Sequence, residues 1–168
     1  MFIDESGAKS NLTRLRGRSP IGQRLVAKAP GGHWKTSTII SAVGLRGAFA
    51  PAVFDGPTDR EVFRAYVQQV LGPQLRPGDI VIMDNLSPHK APGVKGAIEA
   101  VGATVLYLPP YSPDFNPIEN LWSKLKTHLR SAGARTFNTL CDAVAEGLKT
   151  ITTPDCRGYF QNCGYATG

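Results

Sequence analysis

Three carboxylates stand where their neighbours suit them for chemistry: Asp4, Asp84 and Glu119. Asp84 closes the run 79–84 (DIVIMD), in which four apolar residues lie between two acids, and Asn85 follows it. A run apolar on both faces reads as a central parallel strand, and sites in open α/β sheets gather at the carboxyl ends of such strands. Asp4 is expected to close a short first strand that begins at Phe2. Glu119 falls in the first turn of a helix. Packed together, three acids would repel one another and any polyanion beside them. Divalent cations that prefer oxygen donors, Mg²⁺ or Mn²⁺, relieve that repulsion. Two such ions about 3.5–4 Å apart suit phosphodiester chemistry, one activating the incoming oxygen and the other stabilising the leaving one.

Glu119 has two readings. Asn116-Pro117-Ile118-Glu119 places asparagine at a helix N-cap, proline at N1 and glutamate at N3, which is a sound capping pattern. On a wheel of about 100° per residue, however, Ser123, Lys126 and Arg130 fall within roughly 40° of Glu119. Ile118, Trp122, Leu125 and Leu129 occupy another face, so Trp122 is expected in the core. A metal-binding carboxylate followed by phosphate-binding cations would need that layout.

Charge points to the same class of partner. The 168 residues carry 19 Lys+Arg against 13 Asp+Glu, a net charge of +6. Residues 9–35 hold Lys9, Arg14, Arg16, Arg18, Arg24, Lys28 and Lys35 without one acid. Residues 120–135 hold Lys124, Lys126, Arg130 and Arg135, again without an acid. Acid-free basic blocks suit phosphate contact, and Arg14, Arg16, Arg18, Arg24, Lys35, Lys126 and Arg130 are the candidate DNA contacts. His89 and Lys90, just after Asp84, are further candidates for phosphate. His33-Trp34-Lys35 could stack a base, although Trp34 packs more readily than it stacks. Asn85 is expected to orient the site, and Glu5, opposite in facing to Asp4, to play a structural or supporting part.

Other classes fall away. No apolar run approaches the ~18 residues of a membrane helix. The start has neither a basic nor an apolar leader region, which implies a cytoplasmic protein. Cys141, Cys156 and Cys163 make neither a disulfide framework nor a common zinc spacing. The length fits about one domain.

The elements that must position the acids follow from periodicity and turn signals. Strands are expected at 2–5, 36–43 and 48–54, with Pro51 marking an edge or a bulge. A helix opens at Thr58 as N-cap, with Glu61 completing a capping box, and buries Val62, Phe63, Tyr66, Val67 and Val70 before Gly72-Pro73 ends it. Strand 79–84, helix 92–101, strand 104–108, a proline-rich loop 109–117 and helices 117–130 and 136–151 complete the chain. The basic segment 6–32 is expected as a hairpin or loop. The order βββαβαβαα gives an α/β fold, a mixed sheet flanked by helices on both faces.

Three motifs give the sequence a family likeness: FIDESG at 2–7, IMDN at 82–85 followed by His89-Lys90, and LYLPPYSPDFNPIE at 106–119. Between Asp84 and Glu119 lie 34 residues. With these motifs, and with YFQNCGY at 159–165, the chain resembles the DDE transposases of bacterial insertion sequences in the mariner-type superfamily, over essentially its whole length. The resemblance implies a ribonuclease H-like fold. It implies Asp4, Asp84 and Glu119 as catalytic metal ligands, holding two Mg²⁺ or Mn²⁺ ions for DNA strand cleavage and strand transfer. It also implies DNA partners, the element's ends and its target, and a homodimer on DNA. Residues 1–168 would then be a single catalytic domain. The N-terminal helix-turn-helix region of full-length members is absent from this chain, so end recognition would fall to a separately encoded subunit or frame. Two other readings stay open: a truncated remnant that only binds DNA, and a related nuclease that cuts without joining.

Overall fold

The computed structural model describes all residues except Ala27, Ala29, Gly32, His33 and Gly168. Five strands form one sheet in the order β3-β2-β1-β4-β5. They are β1 (Phe2–Lys9), β2 (Thr36–Gly44), β3 (Gly47–Asp55), β4 (Ile80–Met83) and β5 (Thr104–Tyr107). β1 pairs antiparallel with β2 and parallel with β4, and β4 pairs parallel with β5. The helices are α1 (Arg60–Tyr66), α2 (Val94–Glu99), α3 (Ile118–Ala132), α4 (Phe137–Lys149) and α5 (Thr153–Asn162). None is long and apolar enough to cross a membrane.

Alternation along the strands divides the core in two. Phe2 and Ala8 of β1 join Ile39 and Val43 of β2 beneath α3, α4 and α5, where Trp122, Leu125, Leu129, Val144 and Phe160 meet them. Ile3, Ile40, Val81, Met83 and Val105 face the other way, against Phe63, Tyr66, Leu71, Val94 and Ile98. Side chains alternate across a strand, so Asp4 and Glu5 must look to opposite faces.

Several expectations need correction. β1 runs on to Lys9, because residues 4–9 pair with β2 throughout; Asp4 therefore sits inside the strand rather than at its end. β4 is interior and parallel to both its neighbours, as expected, with β1 in the middle of the sheet. Asp59 caps α1 in place of Thr58, its carboxylate accepting the Val62 N–H at 2.9 Å. Gly72-Pro73 does not stop that helix, which continues as a π turn (Val67–Leu71) and a 3-10 turn (Gly72–Gln74) that bury Leu71 rather than Val70. The helix α5 was not expected, although its signal is plain: Thr152 and Asp155 form a capping box around a first-turn proline. Lys124 ties α5 to α3 through the Asp155 carboxylate at 2.7 Å. Pro51 does mark an edge strand, whose register with β2 shifts between Ile40 and Ala42.

α3 and α4 approach closely at Gly147. A Cβ there would stand 2.5 Å from Leu125 Cδ1 and 3.0 Å from His128 Cδ2, and Leu125 is itself buried. Alanine would gain about 1 kcal/mol in helix propensity, against about 1–3 kcal/mol for overpacking. Gly147→Ala is expected to lower stability by about 1 kcal/mol in urea unfolding; a gain in stability would mean that the contact is loose.

Candidate active site

The parallel register of β1 on β4 sets Phe2 beside Ile82 and Ile3 beside Met83. Asp4 and Asp84 each follow the last of these paired residues. Glu119 reaches the same place from the first turn of α3. All three line one cleft of about 450 Å³, with Asn85, Leu86, Leu108, the 109–113 segment and Asn116. The capping explanation of Glu119 does not hold. Pro117, not Asn116, takes the N-cap position, and no side chain caps the helix. Glu119 is exposed to the cleft, while Trp122 lies buried on the other face of α3.

The approach to Glu119 is moored from the tail. Pro113–Phe115 forms a 3-10 turn, and the Tyr165 hydroxyl donates to the Phe115 carbonyl at 2.8 Å. The ring of Tyr165 also packs 5.1 Å from that of Phe2, and Phe160 packs edge-on to Phe2 at 5.4 Å. The carboxyl-terminal segment thus braces both the strand that carries Asp4 and the loop that delivers Glu119.

Electrostatics in the cleft is dominated by the acids. Burial pushes the Asp4 carboxyl up to about 7 against the relief of the Glu5 N–H bond, and the charges of Asp84, Glu5 and Glu119 push the same way. Burial would also raise Asp84, but hydrogen bonds from His89 and the Leu86 N–H hold it below its ordinary value. Burial would lower His89, yet its bonds to Asp84 and Glu5 carry it up to about 10. Burial and the neighbouring acids thus make the charged form of Asp4 costly, a cost that a bound cation would relieve. The cleft offers only hard oxygen donors from its three acids, a set that fits a divalent cation.

His89 was a candidate phosphate contact, and the structure overturns that. The residue is 0% exposed. Its Nδ1 lies 2.5 Å from Asp84 Oδ1 and its Nε2 lies 2.5 Å from Glu5 Oε2. The phenyl ring of Phe63 lies 4.5 Å from the imidazole, centre to centre. Lys90 is exposed, with Nζ 5.7 Å above the centre of the Tyr107 ring. Arg14, Arg16, Arg18, Arg24 and Lys35 are all exposed, on a segment without helix or strand among its described residues. Lys126 and Arg130 are half-buried along α3. Trp34 is exposed rather than packed, and His33 lies outside the described residues. The Glu5–His89 pair was not legible in the sequence, since 83 residues separate its members and only the strand alternation of Glu5 hinted at it. Asn85 and Asn116 bring buried amide oxygens without a hydrogen-bond partner to the cleft.

The sequence profile of the DDE superfamily endonuclease family matches residues 1–141. Among curated proteins, none matches the chain. Solved structures do. The Mos1 transposase paired-end complex with left transposon end superposes with a TM-score of 0.69 at 19% identity, covering 97% of this chain and 50% of that one. The Mos1 mariner paired end complex with Mn gives 0.67 at 17% identity, covering 97% and 51%. The catalytic domain of Mos1 mariner transposase gives 0.58 at 14% identity, covering 97% and 75%. At these identities the likeness is one of fold, the ribonuclease H-like sheet with helices on both faces. The chain spans about half the length of the first of these structures.

The pH dependence of stability follows from the shifts. Asp4 moves from 3.8 to about 7 on folding, so the folded state holds a proton that the unfolded state releases. Stability falls as pH rises through that window, by at most about 1.4 kcal/mol per pH unit. His89, raised from 6.5 to about 10, contributes stability below 6.5 that is lost as pH rises through its folded value. Asp84, lowered, contributes stability that is lost in acid. Melting in chelator is therefore expected to fall steadily from pH 5 to pH 9. Asp4→Asn should flatten the lower half of that slope and melt above wild type at pH 8. An unchanged slope would count against a raised Asp4.

Proposed function

The chain belongs to the DDE superfamily of endonucleases, and from that premise we propose that it is the catalytic domain of a transposase, cutting DNA strands and joining them to new partners. The observation that carries this reading is the meeting of Asp4, Asp84 and Glu119, from three separate elements, in one cleft. We assign these three as the catalytic metal ligands, for two Mg²⁺ or Mn²⁺ ions. Bound there, such ions would neutralise phosphate charge and favour the attacking and leaving oxygens.

The chain's own residues have defined tasks in this scheme. Asp4, Asp84 and Glu119 set the negative charge that recruits cations and fix where they sit. In the cutting step a water oxygen attacks phosphorus, the P–O3′ bond breaks and a 3′ hydroxyl is freed. In the joining step that hydroxyl attacks a target phosphodiester and displaces its 3′ oxygen, so phosphodiester bonds are conserved. Exposed cations hold the duplex by its phosphates, which positions it without reading sequence. Arg14, Arg16, Arg18, Arg24, Lys35 and Lys90 do so from loops, and Lys126 and Arg130 from α3. Residues 1–168 act as one domain, and a homodimer assembles on the DNA.

Two measurements test this. Asp84→Asn and Glu119→Gln are each expected to cut metal-dependent nicking of supercoiled DNA by at least about a hundredfold. With no cap bond to lose, Glu119→Gln should move stability by no more than about 0.5 kcal/mol. Joining of a pre-nicked 3′ end to a second duplex distinguishes a transposase from a nuclease that only hydrolyses; its absence alongside robust nicking would overturn the transfer half of the proposal.

Affinity for random duplex should fall with salt at a log–log slope of about −0.9 per phosphate neutralised. Replacing Arg14, Arg16 and Arg18 together by alanine should flatten that slope by roughly two to three units and weaken all sequences alike. A slope unmoved by the triple variant would remove these arginines from the interface.

A further inference from the structure

Glu5 and His89 lie outside the three acids, yet their placement is constrained from every side. β1 alternation turns Glu5 to the face opposite Asp4. There its carboxylate meets the imidazole, with Oε2 2.5 Å from Nε2, and Oε1 lies 3.5 Å from the Thr58 hydroxyl. The other ring nitrogen, Nδ1, meets the Asp84 carboxylate at 2.5 Å. Both nitrogens of a fully buried imidazole are thus spent on carboxylates, one of which faces the cleft.

The loop that bears His89 is moored as well. Tyr107 donates its hydroxyl to the His89 carbonyl at 3.3 Å. Arg60 donates to the Ser87 hydroxyl through Nε at 3.1 Å and through Nη2 at 2.6 Å. Phe63 closes the ring off from one side. These contacts hold the imidazole in place, and its Nδ1 meets one oxygen of Asp84. The Leu86 N–H holds the same oxygen at 3.0 Å. With Oδ1 so committed, Oδ2 is the oxygen left to act as a ligand.

We propose that Glu5 and His89 form a positioning relay for Asp84: Glu5 fixes the imidazole, the imidazole fixes Oδ1, and Oδ2 is thereby aimed at the metal site before any cation arrives. The proposal rests on the assignment of Asp84 as a ligand. A competing role exists on the same geometry, because Asp4, Glu5 and His89 can bring ligand atoms within 4.8 Å of one another. Glu5 would then bind a cation itself.

The test is a Mn²⁺ titration followed by electron paramagnetic resonance on the full chain, well below its melting temperature, with melting measured on the same samples. Partners that orient a ligand typically account for about 10–100-fold in metal affinity. Glu5→Ala and His89→Ala should each weaken Mn²⁺ binding by that order in protein that is still folded. Glu5→Gln, whose amide oxygen can still accept from the imidazole, should recover most of the loss, and added imidazole should partly restore His89→Ala. A purely structural pair would lower melting and leave the affinity of the folded protein where it was. A direct ligand role would make Glu5→Gln as weak as Glu5→Ala. Either result overturns the relay. Should the alanine variants fail to fold, Glu5→Gln set against His89→Gln decides it: the relay requires only the second to weaken Mn²⁺ binding by tenfold or more. Asp84→Asn is the control. If it leaves Mn²⁺ affinity intact, the ligand assignment fails; if it abolishes binding while the Glu5 and His89 variants bind normally, the relay alone fails.

Discussion

Parallel pairing of β1 with β4 brings Asp4 and Asp84 to one cleft, and the burial of the Asp4 carboxylate there, with other acids beside it, is the constraint against which the rest of the structure works. Like charges this close disfavour ionisation of at least one group. Here that group is Asp4, buried and raised to about 7. Asp84 escapes the same fate because a buried imidazole lies against it. The two aspartates, adjacent in space and alike in chemistry, are pushed apart in acidity by what stands behind each. Glu119 adds a third charge from an exposed position, where water screens it.

A sheet with helices on both faces makes that division possible. The α3–α5 side carries the large apolar cluster that seats α3 and so fixes Glu119. The α1–α2 side carries the imidazole that touches Asp84 from behind, with the Phe63 ring and the Glu5 carboxylate packed against that imidazole. Supports for the site thus come through the sheet as well as along it. The tail belongs to the same scheme: Phe160 and Tyr165 pack on Phe2, two residues from Asp4. Changes in α5 would therefore be felt at the cleft without touching it.

The distribution of charge is as sharply divided as the sheet. A chain of net charge +6 sets three acids in one cleft while residues 9–35 carry basic residues and no acid. Opposed fields of this kind suit a polyanion that must be drawn to the surface and yet admitted to an acidic centre only with cations as escorts. The absence of regular structure in the described part of that basic segment fits contact with phosphates, which needs reach more than a fixed face.

Much of this was legible in the sequence, and the reason is local. An apolar run ending in Asp84, a proline-bounded helix start at Glu119, amphipathic spacing along α3 and the paired strands at 36–55 are each written within a dozen residues, where periodicity and turn chemistry act. The three motifs added the family and, with it, the fold. What failed was what depends on partners far along the chain. β1 reached Lys9 because β2 lay beside it to accept its hydrogen bonds, which no property of residues 6–9 announces. Glu119 carried two readings in the sequence, and the absence of a side-chain cap on α3 removes the capping one. His89 read as a candidate phosphate contact, since nothing near it in sequence foretells burial between Glu5 and Asp84. The sequence by itself determined which acids could serve and which elements carry them, because local backbone preference and side-chain pattern suffice for that. Only the tertiary structure decided how those acids are charged and aimed, because charge and aim depend on burial and on neighbours that the fold alone brings within hydrogen-bonding distance.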